Sequence, residues 1–150
     1  MPTATAEADL RYMHEALALA HQAYAEGEVP VGALVVAGGK RLGKGYNQVE
    51  RLHDPTAHAE MLALTAACNA LGAKYLPEAT LYVTLEPCPM CAGALRWAQV
   101  GRVVYGAPDP KHGYRRHGHL LHPKATVTEG VLEGDARALL QSFFSQHRPT

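Results

Sequence analysis

Two segments of this chain carry residues that serve one another only if the fold brings them together. His58-Ala59-Glu60 ends twenty-seven residues before Pro87-Cys88-Pro89-Met90-Cys91 begins. The two cysteines of the second segment are three positions apart, which on a helix is about 300° of rotation and roughly one turn of rise. Both sulfurs can then reach one point beside that helix's first turn. The positive end of the helix dipole and its free N–H groups favour thiolates there. Adding the His58 imidazole requires a fold that sets two helix starts against each other.

Two thiolates and one imidazole make three protein ligands, the number typical of catalytic zinc sites, whereas structural sites have four. The fourth position is left for water, whose pKa zinc lowers from about 15.7 to about 7 in favourable sites. The two sulfurs partly neutralise the ion and weaken this effect, and hydrogen bonds from helix N–H groups to the sulfurs restore some of it. Glu60 stands about 200° from His58 around an ideal helix. The two side chains converge on one water only at the helix's first turn, with the metal off its end. The Asp54-Pro55-Thr56 segment, a capping side chain followed by proline, reads as the opening that places them there. A carboxylate that faces such a water without being a ligand is a proton shuttle. It accepts the water proton, delivers it to a ring nitrogen and later protonates a leaving amine.

Each part alone has a plainer reading. A lone Cys-x-x-Cys is often a thiol redox pair or half of a structural zinc site, and a lone His58 is a capping or core histidine. The combination, on two helix starts, favours catalysis, because a purely structural or redox-sensing module has no use for Glu60. His53 is the nearest candidate for a fourth ligand, but it precedes Pro55 in a loop and has no partner spacing. Cys68 shares a helical face with Met61, Leu64 and Leu71 and reads as a core cysteine.

The rest of the chain supplies a frame. Leu10, Met13, Leu17, Ala20 and Tyr24 recur at helical spacing up to Gly27. Residues 31–37 read as a buried strand, Gly38-Gly39-Lys40 as a turn, and residues 41–47 as the antiparallel return. A helix over residues 58–71 stops near Gly72. It is followed by a strand at 80–84, a helix from Pro87 and Pro89 to about Val100, and a strand at 102–106. Residues 107–124 read as a loop, 125–129 as a last strand and 133–147 as a closing helix. Helices alternating with short buried strands predict one α/β layered domain over residues 1–150, with helices on both sheet faces.

Composition narrows the function classes. Hydrophobic residues make up 47% and charged residues 19%, the balance of a globular chain rather than a disordered one. Fourteen basic and fourteen acidic residues cancel, which argues against a non-specific nucleic-acid coat protein. No apolar run approaches the roughly 18–20 residues of a membrane span, and no secretory signal opens the chain. Three cysteines without such a signal fit a reducing compartment, so a cytoplasmic location is expected.

The His-x-Glu and Pro-Cys-x-x-Cys pair is the known signature of zinc-dependent base deaminases. Further stretches make the resemblance specific: Glu28 to Ala33 (EVPVGA), His53 to Glu60 (HDPTAHAE), Thr80 to Leu95 (TLYVTLEPCPMCAGAL), Gly101 to Ala107 (GRVVYGA), Asp109-Pro110-Lys111 and Leu139 to Phe144. Over nearly its whole length the chain resembles bacterial tRNA-specific adenosine deaminases. That family's fold is cytidine-deaminase-like, a three-layer α/β/α arrangement with a mixed five-stranded sheet, and its members usually form homodimers. The resemblance implies one zinc ion (Zn2+) per subunit on His58, Cys88 and Cys91, with Glu60 as proton shuttle. The implied reaction converts the adenosine at the wobble position of a tRNA anticodon loop to inosine. It further implies that Asn47 hydrogen-bonds the flipped base, that Val31 packs on one face and His58 on the other, and that the Ala59 backbone helps hold it. Asp109, Lys111, Phe144 and Arg148 match positions that approach the RNA. On their own pattern Asn47 is a turn asparagine, Val31 and Phe144 are core residues, Asp109 opens a turn and Arg148 is a solvated tail.

One stretch departs from the family. Lys111 to Lys124 reads KHGYRRHGHLLHPK, with four Lys or Arg, four His and no acid. A basic loop with Tyr114 interleaved suits an RNA backbone and an unstacked base. The same run also reads as a solvated surface loop or a dimer contact, with RNA contact the favoured reading. Guanine deaminases of this fold also carry a Pro-Cys-Pro-Met-Cys helix, so a deaminase of a free nucleobase or nucleotide, of guanine or cytosine type, is the alternative. The basic loop and the Phe143-Phe144 helix favour tRNA, because a small base needs neither.

Overall fold

The computed structural model describes residues 3–147. Helix α1 (Ala4–Ala25) is capped by Thr3, whose hydroxyl accepts the Ala6 N–H at 3.0 Å. Strand β1 (Gly32–Ala37) returns as β2 (Lys40–Tyr46) through Gly38 and Gly39, both at positive φ, as a two-residue hairpin turn requires. A short helix, α2 (Val49–Leu52), precedes α3 (Ala59–Leu71). Then come β3 (Thr80–Leu85), α4 (Pro89–Trp97), β4 (Arg102–Ala107), β5 (Thr126–Glu129) and α5 (Glu133–Gln146).

The five strands form one mixed sheet in the order β2-β1-β3-β4-β5. β1 is antiparallel to both its neighbours, while β3, β4 and β5 run parallel. Alternate residues of the central strands face opposite layers. Ala33, Val35, Leu81, Val83, Val103 and Tyr105 pack with Ala59, Ala63, Ala67, Ala92 and Leu95 of α3 and α4. Leu34, Val36, Tyr82 and Val104 pack with Tyr12, Met13 and Ala16 of α1. Burial on both faces is why these strands read as unbroken apolar runs. The expected three-layer α/β/α architecture is the one observed.

The differences from expectation are local. Asp54 does not cap α3: its carboxylate accepts the Thr56 N–H at 2.8 Å and the Thr56 hydroxyl at 2.7 Å, closing a turn that ends before the helix. The residue in the cap position is His58 itself, in extended conformation. Helix α4 stops at Trp97, three residues short of Val100, because Gln99 takes a left-handed φ of 57° and Val100 N–H returns to the Leu95 carbonyl. Helix α2 was not expected, and neither was the 3₁₀ turn at Tyr114–His117 inside the basic loop.

The parallel strands β3 and β4 deliver their carboxyl ends, Leu85 and Ala107, beside the N-termini of α3 and α4. The crevice outside such strand ends is where open α/β sheets bind ligands.

Candidate active site

His58 and Cys88 are both cap residues, at the starts of α3 and α4 respectively, and Cys91 lies in the first turn of α4. Neither cap side chain bonds its own helix, so both remain free to face outward. Pro89, at the opening of α4, has no N–H to satisfy. The His58 Nδ1 lies 3.6 Å from Cys88 Sγ and 3.5 Å from Cys91 Sγ. The three donor atoms lie within 4.8 Å of one another, and among the described residues no other group of three His, Cys, Asp or Glu is so placed.

Glu60, in the first turn of α3, is 5% exposed. Burial lifts its carboxyl to about 7, so at neutral pH it can both take and give a proton. The two thiols are pushed apart. A hydrogen bond from Cys91, then one from His58, holds Cys88 down to about 4. The same bond to Cys88, together with burial, pushes Cys91 up.

These groups open into a cavity of about 510 Å³ lined in part by Val31, Asn47, His58, Glu60, Asp109 and Phe143. Asn47 Oδ1 accepts the Ala59 N–H at 2.8 Å, which leaves its NH2 group for the cavity. Ala59 is fully buried behind it. Val31 is buried, and its carbonyl accepts the Asn47 N–H. Asp109, partly buried, stands on the opposite wall. Lys111 is exposed at the rim and does not line the cavity. Phe144 is 52% exposed, while its neighbour Phe143 is buried, lines the cavity and stacks on His147. Of these two residues, the helix face puts Phe143 against the cavity. Arg148 lies outside the described residues.

The basic loop differs from expectation in two side chains. Tyr114 is buried in the core rather than offered to a base, and its N–H bonds the Pro87 carbonyl. Arg115 is held by Glu129 and by the Tyr105 hydroxyl. Arg115 stays exposed but paired, so among the described residues the loop's cations without a carboxylate partner are Lys111, Arg116 and Lys124.

Sequence reasoning gave no role to Glu28 and Glu86, which are 1% and 5% exposed and also line the cavity. Their partners are backbone N–H groups, at Glu50 and Arg51 for Glu28 and at Asp109 and Arg115 for Glu86. The signal available was their position alone, Glu28 opening one stretch that resembles the family and Glu86 lying inside another, two residues before Cys88.

A layered α/β/α sheet with a His/Cys/Cys group and a buried glutamate at two helix mouths defines the cytidine-deaminase-like class. The pattern described as "Cytidine and deoxycytidylate deaminase zinc-binding region" matches residues 6–107. A tRNA-specific adenosine deaminase of Bacillus subtilis is 45% identical over 93% of this chain and 91% of its own length. A chloroplastic tRNA(adenine(34)) deaminase of Arabidopsis thaliana is 43% identical over 89% of this chain, which spans only 12% of that longer protein. A solved tRNA:A34 deaminase structure gives a TM-score of 0.81 at 39% identity, covering 87% of this chain and 99% of that one. The guanine deaminase of Nitrosomonas europaea gives 0.80 at 29% identity, covering 89% and 82%. The chain belongs to the zinc-binding cytidine and deoxycytidylate deaminase family and, within it, to the tRNA-specific adenosine deaminases.

Proposed function

We propose that the protein hydrolytically deaminates adenosine to inosine at the wobble position of a tRNA anticodon loop. The observation that carries this reading is the meeting of His58, Cys88 and Cys91 donors beside a buried Glu60 poised near neutrality. Two sulfurs and an imidazole suit zinc, and three protein ligands are the catalytic number. His58, Cys88 and Cys91 would hold the ion, which when bound supplies Lewis acidity that makes water a better nucleophile at neutral pH.

Glu60 takes a proton from the attacking water and passes it to N1 of the purine ring. It then carries a proton to the departing amine at C6. The surrounding apolar wall keeps bulk water from the exchange. Asn47 donates its NH2 to an acceptor on the base, and Val31 and His58 bracket the ring. Asp109 holds the strand at the rim, where Lys111 and Arg116, neither within salt-bridge reach of a carboxylate among the described residues, give the phosphate backbone a positive surface. We infer further that the chain works as a single domain in the cytoplasm, as a homodimer with one zinc per subunit. Trp97, 81% exposed on α4, supports the dimer reading.

The second reading, deamination of free guanine, draws on the fold shared with the Nitrosomonas europaea enzyme. Incubating the purified protein with an arginine tRNA carrying A34, and separately with guanine, cytosine and adenosine, separates the two. Inosine at position 34 of the tRNA is the expected product. Xanthine from guanine with an unedited tRNA would replace this reading by the second.

A further inference from the structure

The cavity mouth is framed by two segments that lack long regular structure, residues 48–51 on one side and 109–115 on the other. Each is tied from beneath by one buried carboxylate. Glu28 accepts the Glu50 N–H at 3.0 Å and the Arg51 N–H at 2.9 Å. Glu86 accepts the Asp109 N–H and the Arg115 N–H, both at 3.0 Å. Bonds to charged acceptors of this kind are roughly twice as strong as neutral ones. Val49 and Glu50 line the cavity from the first segment, Asp109 and His112 from the second.

The second tie is the tighter. Glu86 N–H also reaches the Ala107 carbonyl at 2.8 Å, and Tyr114 N–H reaches the Pro87 carbonyl at 2.9 Å. Gly113 sits so close that a Cβ there would collide with the Glu86 carboxylate and lie 2.6 Å from the Asp109 carbonyl oxygen. The segment is thus moulded onto the Glu86 carboxylate, and Glu86 stands two residues before Cys88.

We propose that Glu28 and Glu86 are positioning residues that fix the two rims of the cavity, and so govern binding of the part of the substrate extending beyond the reacting base. Neither carboxylate touches the proposed metal ligands in the hydrogen bonds described, and each acts through the backbone it holds. The proposal rests on the RNA reading above, because a free base would not reach both rims.

The test uses the zinc-loaded protein and an anticodon stem-loop RNA containing the target adenosine. Glu86→Gln and Glu28→Gln replace one acceptor oxygen of each tie by a donor and should each raise KM about tenfold, with kcat changed less than about threefold and zinc content unchanged. Gly113→Ala should reproduce the Glu86→Gln effect, and the double variant should be no worse than either alone. Amide exchange at Asp109 and Arg115 should quicken in Glu86→Gln, and at Glu50 and Arg51 in Glu28→Gln. If Glu86→Gln does not fold, Gly113→Ala with its own exchange profile carries the test. An unchanged KM, a loss of kcat with zinc, additive effects, or unaltered exchange at those amides would overturn the proposal. A wild-type protein inactive on the RNA would instead overturn the substrate reading, while the exchange measurement still reports on the ties.

Discussion

Glu60 and the three donors divide the labour of the site between residues that hold and one that moves protons. Glu60→Gln keeps the shape but cannot accept a proton. Turnover should fall by about 10²–10⁴-fold with zinc per chain unchanged. Cys88→Ala, by contrast, should lose the metal, which elemental analysis of the purified variant reads directly. A glutamine variant that still turns over, or an alanine variant that keeps its zinc, would reverse these assignments. The donors were legible in the sequence because metal ligation permits few residue types and fixes their spacing. Glu28 and Glu86 were not, because their partners are N–H groups that every residue carries, in segments far along the chain. Tyr114 misled for a related reason: its polar surroundings in sequence gave no hint that it would reach back to the core.

At the scale of elements, α3 can deliver His58 and Glu60 only if it lies close on the sheet. Gly43 and Gly45 of β2 permit that approach: a Cβ on Gly43 would strike the Ala63 carbonyl and lie 2.6 Å from the Ala67 nitrogen. Gly43→Ala should therefore destabilise the fold by about 1–3 kcal/mol, the range for overpacking. Urea unfolding at fixed zinc measures it, and a change within about 0.3 kcal/mol would show that helix and strand can part without cost. Element order was legible because burial on both sheet faces writes strands as apolar runs, and helices show their periodicity. The ends were less so. Asp54 closes its own turn instead of capping α3, a competition between two uses of one side chain that local sequence does not decide.

Across the whole molecule, one buried group ties the N-terminal helix to the far strands. Asp9 of α1 accepts from Arg102 of β4 at 2.7 and 2.6 Å and from the Tyr82 hydroxyl at 2.7 Å, while Arg102 also reaches Thr128 of β5 at 2.8 Å. Burial alone would raise the Asp9 carboxyl, but the hydrogen bonds from Arg102 and Tyr82 outweigh it and hold it below the ordinary value. A carboxyl that is harder to protonate folded than unfolded contributes fully above its unfolded value of about 3.9, and the contribution fades as pH falls through the folded value. Asp9→Asn should thus be less stable than wild type by about 1–3 kcal/mol at pH 6, with the gap narrowing by pH 3. Urea titrations of both proteins at the two pH values provide the comparison, and a constant gap would contradict the linkage. This long-range tie was absent from the sequence reading, since nothing local pairs residue 9 with residue 102.

The bond from Ala59 N–H to Asn47 Oδ1 has a consequence for selectivity. Most surface asparagines can turn their amide end for end at little cost, offering oxygen or nitrogen as a ligand demands. Turning Asn47 would leave the Ala59 N–H at the buried start of α3 without an acceptor, at a cost of about 1–3 kcal/mol. The hand that Asn47 extends into the cavity is therefore chosen by the folding of α3, before any ligand arrives. A base presenting a donor at that point is refused by the helix as much as by the side chain.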